Sequence, residues 1–236
     1  MPSVQRPAWF TFDCYGTLID WEAGMNACFR QILVEKRSQA AVEQFAADWE
    51  EIQFQMIQGP YQPYKTILAE ALLDTLKKHQ LPARSSDGER LVASLPSWKP
   101  FPEVNAVLGE LKKVGLRLAI LSNIDDDLLS QTLEHFTVPF DRLLTAEQAR
   151  AYKPNEKVFR YALEQLQCQP EQIAHVAFGE RYDLLPAQRL GCRTIYINRH
   201  SRQLPPSLHP DAEYADLLGL LRYIALRAPR AEPAGN

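Results

Sequence analysis

Trp9-Phe10-Thr11-Phe12-Asp13-Cys14-Tyr15-Gly16-Thr17 decides how the remainder of the chain is to be understood. The first four residues form a short aromatic and β-branched run, suited to a buried strand. Asp13 closes that run and Gly16 breaks it. A polar side chain just past the carboxyl end of a parallel strand faces the crevice in which ligands bind. Asp13 is therefore a candidate nucleophile. Taken alone, an aspartate between a strand and a glycine is equally a turn former.

Beyond this stretch, from about Trp21 to Leu95, apolar residues recur every three or four positions, as in Phe45, Trp49, Ile52 and Met56. That spacing predicts helices. Gly59-Pro60 interrupts it before a second run through Ile67, Leu68, Ala71, Leu72 and Leu76. No buried strand is expected here, so the stretch is expected to be a helical insertion. After Pro100 the pattern alternates. Strands are predicted at Leu116–Leu121, Arg142–Thr145, Ala174–Phe178 and Arg193–Ile197. Helices are predicted at Pro102–Val114, from Asp125, at Asn155–Leu166 and near Leu184–Leu190. Strand–helix alternation implies an α/β, Rossmann-like parallel sheet covered on both faces. The expected division is a core of residues 1–18 and 99–236 with a helical cap at 19–98, the last residues, 228–236, forming a frayed tail.

Of the 236 residues, 46% are hydrophobic and 23% charged, and the net charge is −3. This is an ordinary globular balance with no electrostatic case for nucleic acid or an anionic membrane. No apolar run approaches the ~20 residues that span a bilayer, and no signal peptide is expected. Cysteines 14, 28, 168 and 192 are scattered, which predicts reduced thiols in a cytoplasmic protein and neither a zinc site nor a disulfide framework. Apolar residues on the cap are compatible with a homodimer or a monomer.

The predicted strand ends carry a small set of polar residues: Asp13, then Ser122-Asn123, then Lys153 in Tyr152-Lys153-Pro154, then Asp183. Alone, each has an ordinary role as helix cap or solvated cation. Together they suit chemistry on a small anionic substrate. A carboxylate can attack and form an ester, an ammonium keeps it ionised, and hydroxyl and amide donors bind negative charge.

In order and context these segments resemble the four motifs of the haloacid dehalogenase superfamily, over the whole chain. The helical stretch falls where many members insert a cap. The resemblance implies that Asp13 is the nucleophile, Lys153 its charge partner and Asp183 a carboxylate positioning water, with Thr17, Ser122 and Asn123 orienting nucleophile and substrate. Phosphatases of this superfamily carry a second aspartate two residues after the nucleophile, acting as acid and base. Here that position is Tyr15. A departing halide needs no proton, and the Asp-x-Tyr-Gly-Thr form resembles the L-2-haloacid dehalogenase branch, whose members use no metal. The expected activity is hydrolysis of short (S)-2-haloalkanoic acids to 2-hydroxy acids. The alternatives are a Mg²⁺-dependent phosphatase, the only one needing a cofactor, or a silent homologue that binds a small anion or a partner protein.

Three departures from that branch stand out. Its cap arginine, which follows a tryptophan, is replaced in Trp49-Glu50-Glu51. Phe159 stands where the branch has a tyrosine. Motif four, Phe178-Gly179-Glu180-Arg181-Tyr182-Asp183, lacks the usual Ser and Asn. Glu180 is expected to pair with Arg181, and Arg181 is a candidate for the missing substrate-binding charge. Trp21, Phe54, Met56, Tyr61 and Tyr64 are candidates for an apolar lid over Asp13.

Overall fold

Strand β1, Trp9–Phe12, lies inside a parallel sheet, and all four of its residues are buried. The computed structural model describes residues 7–226, so the expected tail, 228–236, lies outside the described residues. Four helices follow β1: α1 (Trp21–Glu35), α2 (Val42–Ile57), α3 (Tyr64–Lys78) and α4 (Ser85–Ser94). Then come α5 (Val104–Lys113), β2 (Leu118–Ser122), α6 (Asp126–Thr132), β3 (Arg142–Thr145), α7 (Ala146–Ala149) and α8 (Glu156–Leu166). The chain continues through β4 (Ile173–Ala177), α9 (Leu185–Arg189), β5 (Arg193–Ile197), β6 (Ala212–Tyr214) and α10 (Gly219–Ala225). The four strands predicted after Pro100 all form, the first starting two residues late at Leu118.

The strand order is β3-β2-β1-β4-β5-β6, parallel throughout. From β1 the chain fills one side of the sheet through β2 and β3, then crosses to the other side through β4. The loops leaving β1 and β4 therefore part at the carboxyl ends of adjacent strands. This is the switch point at which such sheets bind ligands.

The helices between β1 and α5 contain the apolar residues that the spacing selected. Phe45, Trp49, Ile67, Leu68, Ala71, Leu72 and Leu76 are all buried. The two chain passages linking this layer to the sheet run side by side, with Asp20 N donating to Lys99 O at 2.9 Å and Phe101 N to Leu18 O at 3.0 Å. The layer is not an isolated body. Its core runs from Phe29, Phe45 and Leu72 without a break into Ile120, Ile124, Leu128 and Leu129 of the sheet side.

A polar tie reinforces this. Asp125, 1% exposed, is the residue before α6 but does not cap it. Its carboxylate accepts from the backbone of Tyr64 (2.8 Å) and Lys65 (2.9 Å), the open first turn of α3, where Pro63 stands in the cap position without a capping side chain. One loop thus supplies the missing cap of a helix in the other layer. Of the large apolar side chains in α1–α4, only Val34 is well exposed among the described residues.

Candidate active site

Asp13 stands one residue beyond β1, where its backbone N–H still bonds Val176 O of β4 at 3.0 Å. The turn that follows is tight. Gly16 has φ +100°, and a Cβ there would lie 2.1 Å from the Phe178 ring. A glycine is required for both reasons. The turn brings Thr17 back beneath Asp13, so that Thr17 Oγ1 donates to Asp13 Oδ2 at 2.8 Å. Thr17 Oγ1 also accepts from Phe178 N at 3.0 Å, tying the β1 loop to the β4 loop.

Lys153 is 1% exposed and donates all three of its protons. Its Nζ reaches Asp13 Oδ1 at 2.9 Å, Leu121 O at 2.9 Å and Asp183 Oδ1 at 2.5 Å. Asn123 sets its position, since Oδ1 accepts from Lys153 N (2.7 Å) and Nδ2 donates to Lys153 O (2.9 Å). Asn123 was expected to help orient nucleophile and substrate, and the structure also gives it this hold on the Lys153 backbone. One oxygen and one N–H of that amide are already committed.

Burial pushes the Asp13 carboxyl above its ordinary value, and Asp183 adds to that, while Lys153 and Thr17 hold it down. Burial acts on Asp183 in the same direction, but Lys153 and His175 outweigh it and leave that carboxyl below its ordinary value. For Lys153, burial is outweighed by its two carboxylates, which raise it above the usual lysine value. Of the two acids, Asp183 is the more firmly held anion. It is not a helix cap. It lies within a π-type turn, Glu180–Leu184, that precedes α9 and holds its side chain inward.

Above these residues is a cavity of about 90 Å³, lined by Asp13, Ser122, Asn123, Lys153 and Asp183 below. Its upper wall contains Tyr15, Trp21, Trp49, Tyr64, Phe178 and Tyr182, with Glu50 and Gln53 from α2. The space is far smaller than the ~300 Å³ of ordinary drug-sized sites. It suits a molecule of a few heavy atoms. Tyr15 is not a replacement acid. Its hydroxyl bonds Thr132 Oγ1 at 2.8 Å, and burial, with Cys14 beside it, pushes the phenol well above its ordinary value.

Several expected residues are placed otherwise. Arg181 does not line the cavity. Its guanidinium lies 3.7 Å from the centre of the Phe54 ring and 3.4 and 3.5 Å from Glu50 and Glu51. Two acids of α2 hold it outside, so it does not present the missing charge. Glu180 does not pair with Arg181 but accepts from Tyr196 Oη at 3.1 Å. Of the proposed lid residues, Trp21 and Tyr64 line the cavity. Phe54, Met56 and Tyr61 pack around Ile57, Ile67 and Tyr152 instead. Glu50 and Gln53 were missed as cavity residues, although the Trp49-Glu50 departure pointed to the first. His175 was missed altogether, since a histidine within an apolar strand gives no signal beyond core packing.

The donor set does not fit Mg²⁺, which needs several oxygen ligands in near-octahedral array. Asp13 and Asp183 are bridged by an ammonium, the Tyr15 hydroxyl is bonded to Thr132, and Glu180 faces Tyr196. Among the described residues no group of three or more His, Cys, Asp or Glu could hold a metal ion. Nor is any described helix long and apolar enough to cross a membrane.

Comparison with known proteins gives a consistent picture. The family model for haloacid dehalogenase-like hydrolases matches residues 8–191. Haloacetate dehalogenase H-2 of Moraxella sp. (strain B) is 29% identical over 196 residues, 80% of this chain and 84% of that protein. (S)-2-haloacid dehalogenase 1 of Pseudomonas sp. (strain CBS-3) is 26% identical over 223 residues, 92% and 95% of the two chains. In three dimensions, the crystal structure of the L-2-haloacid dehalogenase RSc1362 superimposes with a TM-score of 0.84 at 24% identity, covering 94% of this chain and all of the other.

Proposed function

The chain belongs to the haloacid dehalogenase-like hydrolases, and from that membership we propose that it hydrolyses short (S)-2-haloalkanoic acids to 2-hydroxy acids without a metal. The observation that carries this reading is the arrangement around Asp13. A buried carboxylate is held from both sides by Thr17 and Lys153, and a phenol committed to Thr132 stands where a phosphatase places its second acid. The two relatives named above are a haloacetate and an (S)-2-haloacid dehalogenase.

In the proposed reaction an Asp13 oxygen attacks C2 of the substrate from the face opposite the halogen. The new C–O bond forms as the C–halogen bond breaks, and halide leaves with the bonding pair. C2 inverts and Asp13 becomes an ester. Water, positioned by Asp183, then adds to the ester carbonyl carbon. The water's proton passes to Asp183 and on to the departing hydroxy acid. Asp13 returns as a carboxylic acid and ionises, so one proton and one halide leave per turnover. Lys153 offsets the negative charge that Asp13 and the substrate carboxylate bring together. Ser122 and the free N–H of Asn123 are neutral donors for that carboxylate. Among the described residues lining the cavity the one cation is Lys153, which is fully committed.

The small cavity and its aromatic wall favour a haloacid of two or three carbons and would keep bulk water from the first step. The four cysteines are free and three are buried, which supports a cytoplasmic location. The test is halide release from L- and D-2-chloropropionate with and without EDTA. Turnover of the L-enantiomer only, unaffected by EDTA, is expected. Phosphate release from esters that depends on Mg²⁺ would favour the phosphatase instead, and inactivity towards both classes would favour an anion-binding homologue.

A further inference from the structure

His175 is a buried titratable group that this mechanism leaves unused. It lies on β4, 1% exposed, beside β1, where it is paired with Thr11 in the ladder. Its Nε2 is 2.9 Å from Asp183 Oδ1 and its Nδ1 is 2.9 Å from Thr11 Oγ1. A carboxylate can only accept, so Nε2 carries a hydrogen and donates it to Asp183. The ring is held edge-on to Phe159, with centroids 5.5 Å apart. Phe159 is the residue that departs from the tyrosine of the related branch. A hydroxyl on one strand therefore fixes an imidazole on the next, and the imidazole fixes a carboxylate in the crevice.

We propose that His175 is a positioning residue for the second half of the reaction, in which the ester on Asp13 is hydrolysed. Asp183 Oδ1 takes two donors, Lys153 and His175, from different elements. Two donors on one oxygen fix the carboxylate plane. The other oxygen, Oδ2, has no hydrogen bond to a described residue, and Asp183 contributes to the cavity lining. Oδ2 is then the oxygen that receives the water's proton. His175 exchanges no proton with the substrate. It sets the angle from which Asp183 takes one, and a loosely held carboxylate would lose part of that advantage. Lys153 alone does not fix that plane, because its ammonium is shared with Asp13 and Leu121.

This inference rests on the dehalogenase reading, and single-turnover measurements on L-2-chloropropionate separate the two. In the wild type, halide release and loss of the ester from Asp13, followed by intact-protein mass, give the rates of the two halves. His175→Leu is expected to keep the halide burst within about threefold while ester hydrolysis slows by about tenfold or more, so that alkylated protein accumulates. His175→Gln, whose amide can donate to Asp183, is expected to recover most of that loss. Thr11→Val keeps the ring but frees Nδ1 and should show a smaller loss of the same kind. This variant serves as the test if His175→Leu does not fold. Equal slowing of both halves in His175→Leu, or no slowing with normal folding, would overturn the proposal. A wild type that releases no halide would sink the dehalogenase reading and this inference with it.

Discussion

The floor and the upper wall of the cavity are built on different terms. The floor is polar, buried and closed. Asp13, Lys153 and Asp183, with Thr17 and His175 behind them, all lie below 7% exposure and are bonded to one another. The upper wall is aromatic and carries few polar bonds, and its charged member, Glu50, is 40% exposed and meets Arg181 only at 3.4 Å. A buried charge is costly unless paired, and one removed from such a set leaves its partner stranded. An exposed ion pair is screened and weak. The difference teaches that the floor fixes the kind of chemistry, while the upper wall can vary and choose the substrate.

The comparison can be broken most directly at Asp13. Asp13→Asn keeps the shape and the Thr17 contact but removes the nucleophile, so turnover should fall by more than about 10³-fold with the fold intact. Halide release, with a mass measurement to exclude deamidation, checks this.

Lys153→Met should be the next largest effect. It strands two buried carboxylates and should cost about 3–5 kcal/mol of stability, with most of the activity. Urea unfolding at neutral pH measures the first. A loss below about 1 kcal/mol, the range of exposed pairs, would show that the floor is less closed than its hydrogen bonds indicate.

Gly16→Ala places a methyl against the Phe178 ring at positive φ. It should lower stability by about 1–3 kcal/mol and disturb the Thr17–Phe178 tie. Thermal unfolding beside kcat tests both.

The pH profile sharpens the same point. Burial raises the Asp13 carboxyl, and only its ionised form attacks. Activity is therefore present above that raised value and is lost as pH falls through it. The acid limb of kcat/KM should lie above the ordinary aspartate value of 3.8. A limb at or below that value would mean that Lys153 dominates over burial.

The smallest effect belongs to the wall. Glu50→Gln removes a negative charge from the approach of an anionic substrate. It should lower KM by about two- to threefold at low salt, leave kcat unchanged, and lose its effect at high salt. A change in kcat would move Glu50 from the wall into the catalytic set.

Much of this molecule is legible in its residues. Strand β5 runs over Arg193–Ile197 as predicted, because a β-branched and aromatic run between Gly191 and the polar Asn198 admits little else. The helical stretch and its break at Gly59-Pro60 follow from spacing. Strand β6 was not foreseen. It has three half-exposed or exposed residues, Ala212–Tyr214, at the sheet edge, and their register comes from pairing with β5 rather than from a pattern of their own. The helix predicted from Asp125 starts at Asp126, and the Asp125 carboxylate caps α3, since which open helix end a carboxylate reaches depends on how two layers meet.

By itself, then, the sequence determined the parallel α/β sheet with its helical insertion, and the identity of Asp13, Lys153 and Asp183. Periodicity and strand ends are local properties, and the strand ends of such a sheet converge on one crevice whatever the details. Only the tertiary structure decided the rest. It turned Arg181 away toward Glu50, Glu51 and Phe54, committed Asn123 to the Lys153 backbone, and brought His175 from β4 and Thr11 from β1 into one line behind Asp183. These are choices among partners far apart in the chain, settled by distance, burial and competition for each donor, none of which a linear pattern contains.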